Sequence, residues 1–113
     1  MVTFGIASVV LIDFPFSDLS RTKLRPAVVL AQSRNEDWIL CQITSQRYTN
    51  PLAIEITNSD LASGAFRKDS YARPGKLFTA NAAIMTKQIG ELKPEKLEEI
   101  IRAVVSLLEK SIN

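Results

Sequence analysis

Apolar positions in this chain come in short runs cut by turn-forming polar residues, until the C-terminal segment changes rhythm. Residues 9–14 are apolar except at Asp13 and read as a strand. Pro15 has no N–H for a sheet ladder, so that strand should end there and residues 15–24 should be a polar loop. Residues 27–31 and 38–43 are apolar at odd and even positions alike, the pattern of central strands buried on both faces. Asn35, Glu36 and Asp37 supply the turn chemistry between them. Residues 51–57 alternate, with Leu52, Ile54 and Ile56 on one side and Ala53, Glu55 and Thr57 on the other, which predicts a half-buried strand. Asn58-Ser59-Asp60 reads as a turn in which Asp60 caps a short helical segment ending at Gly64. Further strands are expected at Ser70-Tyr71, at 76–79, and at 83–88, the last stopped by Gly90.

From Pro94 the period becomes helical. Proline suits the first helical position, and Glu95, Glu98 and Glu99 lie near the positive end of the helix dipole. Leu97, Ile101, Val104 and Leu108 recur every three or four residues, widened by Ile100, Val105 and Leu107. The expected helix has about four turns, with Glu98 placed to pair with Arg102 at i,i+4. Its apolar stripe suits a lid over a sheet or, alternatively, a contact between two copies. Many short strands and one terminal helix predict a mainly β (α+β) fold, a small curled antiparallel barrel with a C-terminal amphipathic helix. The whole chain, 1–113, reads as one domain, with no repeat or linker.

Composition narrows the class. A hydrophobic content of 46% is that of a globular chain, and no apolar run approaches the ~20 residues of a membrane helix. Residues 1–11 lack a basic start and a small-residue cleavage site, so they do not read as a secretory signal. Cys41 is the only cysteine and lies in an apolar run, which fits a buried small hydrophobe in a reducing cytoplasm. The net charge of +2 hides an asymmetry: residues 21–76 hold nine Lys or Arg against five acids. A polyanionic partner would suit that excess, as would a simple solvated surface.

The chain has no histidine, which removes the usual acid–base group at neutral pH and the triads built on it. With one cysteine a zinc cluster is excluded, and the four isolated glycines form no phosphate loop. Cations and hydroxyls remain. Arg25-Pro26-Ala27-Val28-Val29-Leu30 opens a strand with a cation, and Cys41-Gln42-Ile43-Thr44-Ser45 closes one with two hydroxyls. Counting outward from the polar midpoint Arg34-Asn35 sets Arg25 opposite Thr44, about 5 Å apart at Cβ in an antiparallel pair. A guanidinium and a hydroxyl so placed could hold a phosphate and stabilise a pentavalent phosphorus. RNA brings its own nucleophile, the 2′-hydroxyl, so transesterification without metal or cofactor is the chemistry this inventory supports best. The plainer alternatives are a structural ion pair from Arg25 to Asp13 or Asp18, and strand-end hydrogen bonds for Thr44 and Ser45.

These residues resemble the PemK/MazF family of bacterial toxins. The similar stretches are Val10-Leu11-Ile12-Asp13-Phe14-Pro15-Phe16, the Arg25 to Leu30 motif, Ile43-Thr44-Ser45, Ser70-Tyr71-Ala72-Arg73-Pro74 with Lys76-Leu77-Phe78-Thr79, and Ile89-Gly90-Glu91-Leu92. They stand in family order over residues 9–108. The resemblance implies an SH3-like barrel, also the fold of the gyrase-poisoning CcdB-like toxins, and a homodimer in the cytoplasm. It implies an endoribonuclease that cuts single-stranded RNA without metal, leaving a 2′,3′-cyclic phosphate, and that is blocked by a cognate antitoxin. The family's catalytic arginine and threonine fall on Arg25 and Thr44, with Ser45 assisting. Residues 18–24 would form a mobile loop at the site, with Arg21 and Lys23 reaching RNA. Gln46, Arg73 and Lys76 would extend that track, and Phe16 would stack on a base or anchor the loop. Two departures stand out: Ala7-Ser8 replaces the Gly-Asp that opens many members' first strand, and Arg73 stands where some subgroups carry an acid. The alternatives are a toxin of the same fold that binds a protein such as DNA gyrase, and an inactive relative that only binds its antitoxin.

Overall fold

The computed structural model describes residues 4–15, 22–46 and 51–112. Among the described residues, seven antiparallel strands form one curled sheet in the order β4-β6-β3-β2-β1-β7-β5, and an α-helix follows. The strands are β1 (Ser8–Pro15), β2 (Thr22–Arg34), β3 (Asp37–Thr44), β4 (Ile54–Ile56), β5 (Leu61–Gly64), β6 (Ser70–Asn81) and β7 (Met85–Leu92). The helix α1 spans Pro94–Glu109. This is the mainly β, curled antiparallel architecture that the alternation predicts.

β2 and β3 are central, and their two-faced apolar pattern feeds two cores. Val28, Leu30, Cys41 and Ile43 join Val9, Ile56 and Leu92 on one face, beneath Ile100 and Val104 of α1. Ala27, Val29 and Leu40 join Val10, Ile12 and Met85 on the other. α1 is therefore a lid on the first face. Its stripe is wider than that contact, because Val105 and Leu108 remain exposed.

Several elements differ from expectation. β2 begins at Thr22, because Asp13, Phe14 and Pro15 pair with Leu24, Lys23 and Thr22. The expected loop of 18–24 thus gives up 22–24 to the sheet. Ser70-Tyr71 and 76–79 belong to one strand, β6, in which residues 73–76 all stand against the single residue Gln42. That register break houses Pro74, whose missing N–H would interrupt a regular interior ladder. The predicted helical segment reaching Gly64 is instead a short 3-10 helix at Asn58–Asp60 followed by β5. Gly90 does not stop β7: it pairs with Val9 on one side and Gly64 on the other. A Cβ on Gly90 would lie 2.9 Å from the Ser63 carbonyl, so glycine is what lets β5 approach β7 there.

Candidate active site

The geometry of the site follows from how β2 and β3 part. Ala27, Val28 and Val29 pair with Gln42, Cys41 and Leu40, and extending that register sets Arg25 opposite Thr44. Alternation places Arg25 with Ala27 and Val29, and Thr44 with Gln42 and Leu40. Ala27, Val29 and Leu40 share one core, so the two candidate side chains belong to one face of the sheet. The β2–β3 ladder stops at Ala27↔Gln42, beside Pro26, which has no N–H to offer. Beyond it the strand ends bound a cavity of about 240 Å³ lined by Leu24, Arg25, Pro26, Ile43, Thr44 and Ser45, with Phe66, Lys68 and Ser70 on the opposing wall.

Arg25 and Thr44 are half-buried on this cavity, and Ser45 is exposed. The Thr44 hydroxyl accepts the Gln46 N–H at 3.1 Å. That bond orients Oγ1 and leaves its proton for an acceptor in the cavity. Arg25 has an interaction partner in the structure. Arg25 lies opposite Ile12 on β1, and Asp13 lies opposite Leu24.

The structure thus brings Arg25, Thr44 and Ser45 together, whereas Gln46, Arg73 and Lys76 do not line the cavity. Gln46 contributes its backbone N–H to Thr44 but does not line the cavity. Arg73 sits in the β6 register break, where Nη1 donates to Gln42 Oε1 at 3.3 Å and Nε is buried without a partner among the described residues. Lys76 is exposed in the same break, also off the cavity. Phe16 and Arg21 lie outside the described residues. Lys23 pairs with Phe14 in β2, and its side chain lies outside what is described.

Sequence reasoning missed Phe66, Lys68 and Ser70. The Phe66 ring packs on the first core and its N–H donates to Asn58 Oδ1 at 2.9 Å. Ser70 is buried, and its hydroxyl donates to the Lys68 carbonyl at 3.0 Å. Only the adjacent cations Arg67 and Lys68 before a strand signalled this wall in the sequence. Cys41 is buried between the central strands and donates to the Arg73 carbonyl at 3.1 Å. Burial pushes its thiol up from 9.0 to about 11, against the lowering influence of Arg73. At neutral pH it is therefore a thiol and no nucleophile. Among the described residues, no group of three His, Cys, Asp or Glu side chains converges to hold a metal ion. No described helix is long and apolar enough to cross a membrane.

Residues 7–108 match the model of the PemK-like, MazF-like toxin of type II toxin-antitoxin systems. The chain belongs to this toxin family. No curated protein matches it by sequence. Solved structures of MazF toxins share the fold. An endoribonuclease in complex with its cognate antitoxin, from a mycobacterial species, superposes with a TM-score of 0.70 at 18% identity, over 92% of this chain and 93% of that one. The toxin MazF-mt6 of Mycobacterium tuberculosis gives 0.69 at 13% identity, over 90% and 96%. The toxin fold seen in the MazE-MazF complex of Deinococcus radiodurans gives 0.71 at 18%, over 91% and 93%. The PemK/MazF resemblance carried by the strand motifs is therefore borne out in sequence family and in architecture.

Proposed function

We propose that this PemK/MazF-family toxin is an endoribonuclease that cuts single-stranded RNA by transesterification, needing no metal. The observation that carries the reading is the shared cavity of Arg25, Thr44 and Ser45 at the parted ends of β2 and β3. The 2′-oxygen forms a new bond to phosphorus and the bond to the 5′-oxygen breaks. The 2′-hydroxyl gives up its proton, the departing 5′-oxygen takes one, and a 2′,3′-cyclic phosphate remains. Arg25 faces the charge that builds on the phosphoryl oxygens and stabilises it; a guanidinium is a poor base because it holds its proton, and only the strongly basic departing 5′-oxygen could draw that proton from it. Thr44 orients the phosphate through its hydroxyl, and Ser45 adds a second hydroxyl at the rim. The solved relatives described as endoribonucleases, one of them bound to its antitoxin, support the same reading by analogy. A cognate antitoxin covering this site, a homodimeric toxin and a cytoplasmic setting belong to the same proposal.

The test is cleavage of mixed-sequence single-stranded RNA by the pure protein in EDTA, with the new ends identified. The expected products carry 2′,3′-cyclic phosphate and 5′-hydroxyl ends. Arg25→Ala should lose about a hundredfold to a thousandfold in rate while keeping the wild-type unfolding midpoint, the scale seen when one preorganised charge donor is removed. RNA left intact over a wide range of protein concentration would end the reading. An Arg25→Ala protein as fast as wild type would move the catalytic cation elsewhere.

A further inference from the structure

The cavity has a floor and a rim. Arg25, Thr44 and Pro26 are half-buried and Ile43 and Ser70 are buried, whereas Leu24, Ser45 and Lys68 are exposed. About 240 Å³ is small beside the usual ~300–1,000 Å³ of ligand pockets, so it suits one nucleotide unit and the rest of a strand must leave across the rim. Lys68 stands at that rim. Its ammonium makes no ion pair among the described residues, although Asp69 is its neighbour in sequence. Its backbone is held on both sides: the Ser70 hydroxyl grips the Lys68 carbonyl at 3.0 Å, and Asn58 grips the Phe66 N–H at 2.9 Å. The Phe66 ring is anchored in the core. A lysine in this position is a point charge on a flexible stem rooted in a fixed backbone.

We propose that Lys68 binds a phosphodiester adjoining the one at Arg25 and Thr44, so that it sets RNA affinity and register without entering the chemical step. The inference rests on the endoribonuclease reading and adds to it a residue from the β5–β6 connection. A binding cation neutralises a phosphate and releases counterions, so each such contact contributes about 0.7 to the slope of log affinity against log salt on a single strand. A cation that touches substrate equally before and in the transition state changes KM and leaves kcat alone.

The experiment measures binding of a single-stranded oligonucleotide with 2′-deoxy substitutions, which cannot be cut, across a salt series. Wild type, Lys68→Ala, Lys68→Arg and Lys110→Ala are compared. Lys110 is the control because it lines a separate depression with Leu52 and Pro74. Cleavage of ordinary RNA is followed in parallel. Lys68→Ala should lower the salt slope by about 0.7 and raise KM severalfold at unchanged kcat, Lys68→Arg should restore both, and Lys110→Ala should match wild type. A protein that cuts RNA normally but shows the same slope and KM with and without Lys68 overturns this proposal and leaves the endoribonuclease reading standing. Equal losses in Lys110→Ala also overturn it, since they indicate diffuse charge. Wild-type protein that neither cuts nor binds RNA fails the broader reading, and this one with it.

Discussion

The role proposed for Thr44 rests on one hydrogen bond. Accepting the Gln46 N–H at 3.1 Å fixes the hydroxyl at the strand end and commits its proton to whatever enters the cavity. Thr44→Val keeps the branched shape and removes that donor. We expect cleavage to fall about a hundredfold, with unfolding in urea little changed, and Thr44→Ser to retain most of the activity. Single-turnover cleavage of one defined RNA measures this, and a valine variant of wild-type rate would reduce Thr44 to a strand terminator. Arg25, Thr44 and Ser45 were legible in the sequence because they end two apolar runs that are neighbours along the chain. Lys68 and Phe66 were not, since long-range pairings on either side of their segment, Tyr71 against Thr44 and Gly64 against Gly90, bring it to the same cavity. No local period encodes that approach.

Among elements, the β2–β3 hairpin reaches the predicted register by a different route. The turn lies at Asn35-Glu36, with Arg34 opposite Asp37, so a regular ladder from there would set Arg25 two positions off Thr44. Two bulges in β2, between Val29 and Ala31 and between Gln32 and Arg34, absorb the difference. Asn35 takes φ +52, a left-handed backbone that asparagine tolerates, and its carbonyl accepts from the Gln32 amide. Neither bulge shows in residue type, so the expected facing of Arg25 and Thr44 was reached from a midpoint at Arg34-Asn35, whereas the strands turn at Asn35-Glu36. The β4–β5 connection is tied to α1 through Asp60. Its carboxylate accepts the Thr57 N–H at 2.8 Å and lies 3.7 Å from the Lys96 ammonium, while its carbonyl accepts the Lys93 N–H at 2.9 Å. Burial pushes the Asp60 carboxyl upward, but the Thr57 bonds and Lys96 outweigh it and hold the group below 3.8. A group depressed in the folded state stabilises above its unfolded value, and that stability is lost as the pH falls through the folded one. Asp60→Ala should therefore cost about 1–2 kcal/mol at pH 7, the scale of a lost cap, and the gap from wild type should close in acid below pH 3.8. Urea unfolding of both proteins at the two pH values reads this directly, and a gap that persists in acid would show that the carboxylate's charge is not what stabilises.

At the scale of the molecule, the cavity depends on a seam two strands away from its floor. β5 closes on β7 where Gly64 meets Gly90, and Phe66 and Lys68 of the cavity wall follow two and four residues later. Gly64 holds φ +81, and a Cβ there would collide with the Ile89 carbonyl. A left-handed backbone alone costs about 1–2 kcal/mol for a residue with a side chain, and backbone this close cannot yield as a side-chain tip can. Gly64→Ala should therefore destabilise by about 2 kcal/mol or more. Gly5→Ala, with nothing within 4 Å of its Cβ, should change stability far less. The floor residues Arg25 and Thr44 lie on β2 and β3, whose pairing does not involve the seam. Where Gly64→Ala remains folded, its defect should thus be one of substrate capture, a raised KM with kcat near wild type. Urea midpoints of the two glycine variants, with steady-state cleavage at a temperature where both are folded, decide the matter. Equal stability of Gly64→Ala and Gly5→Ala would mean the seam is slack, and a fall in kcat alone would mean that the wall shapes the chemistry itself.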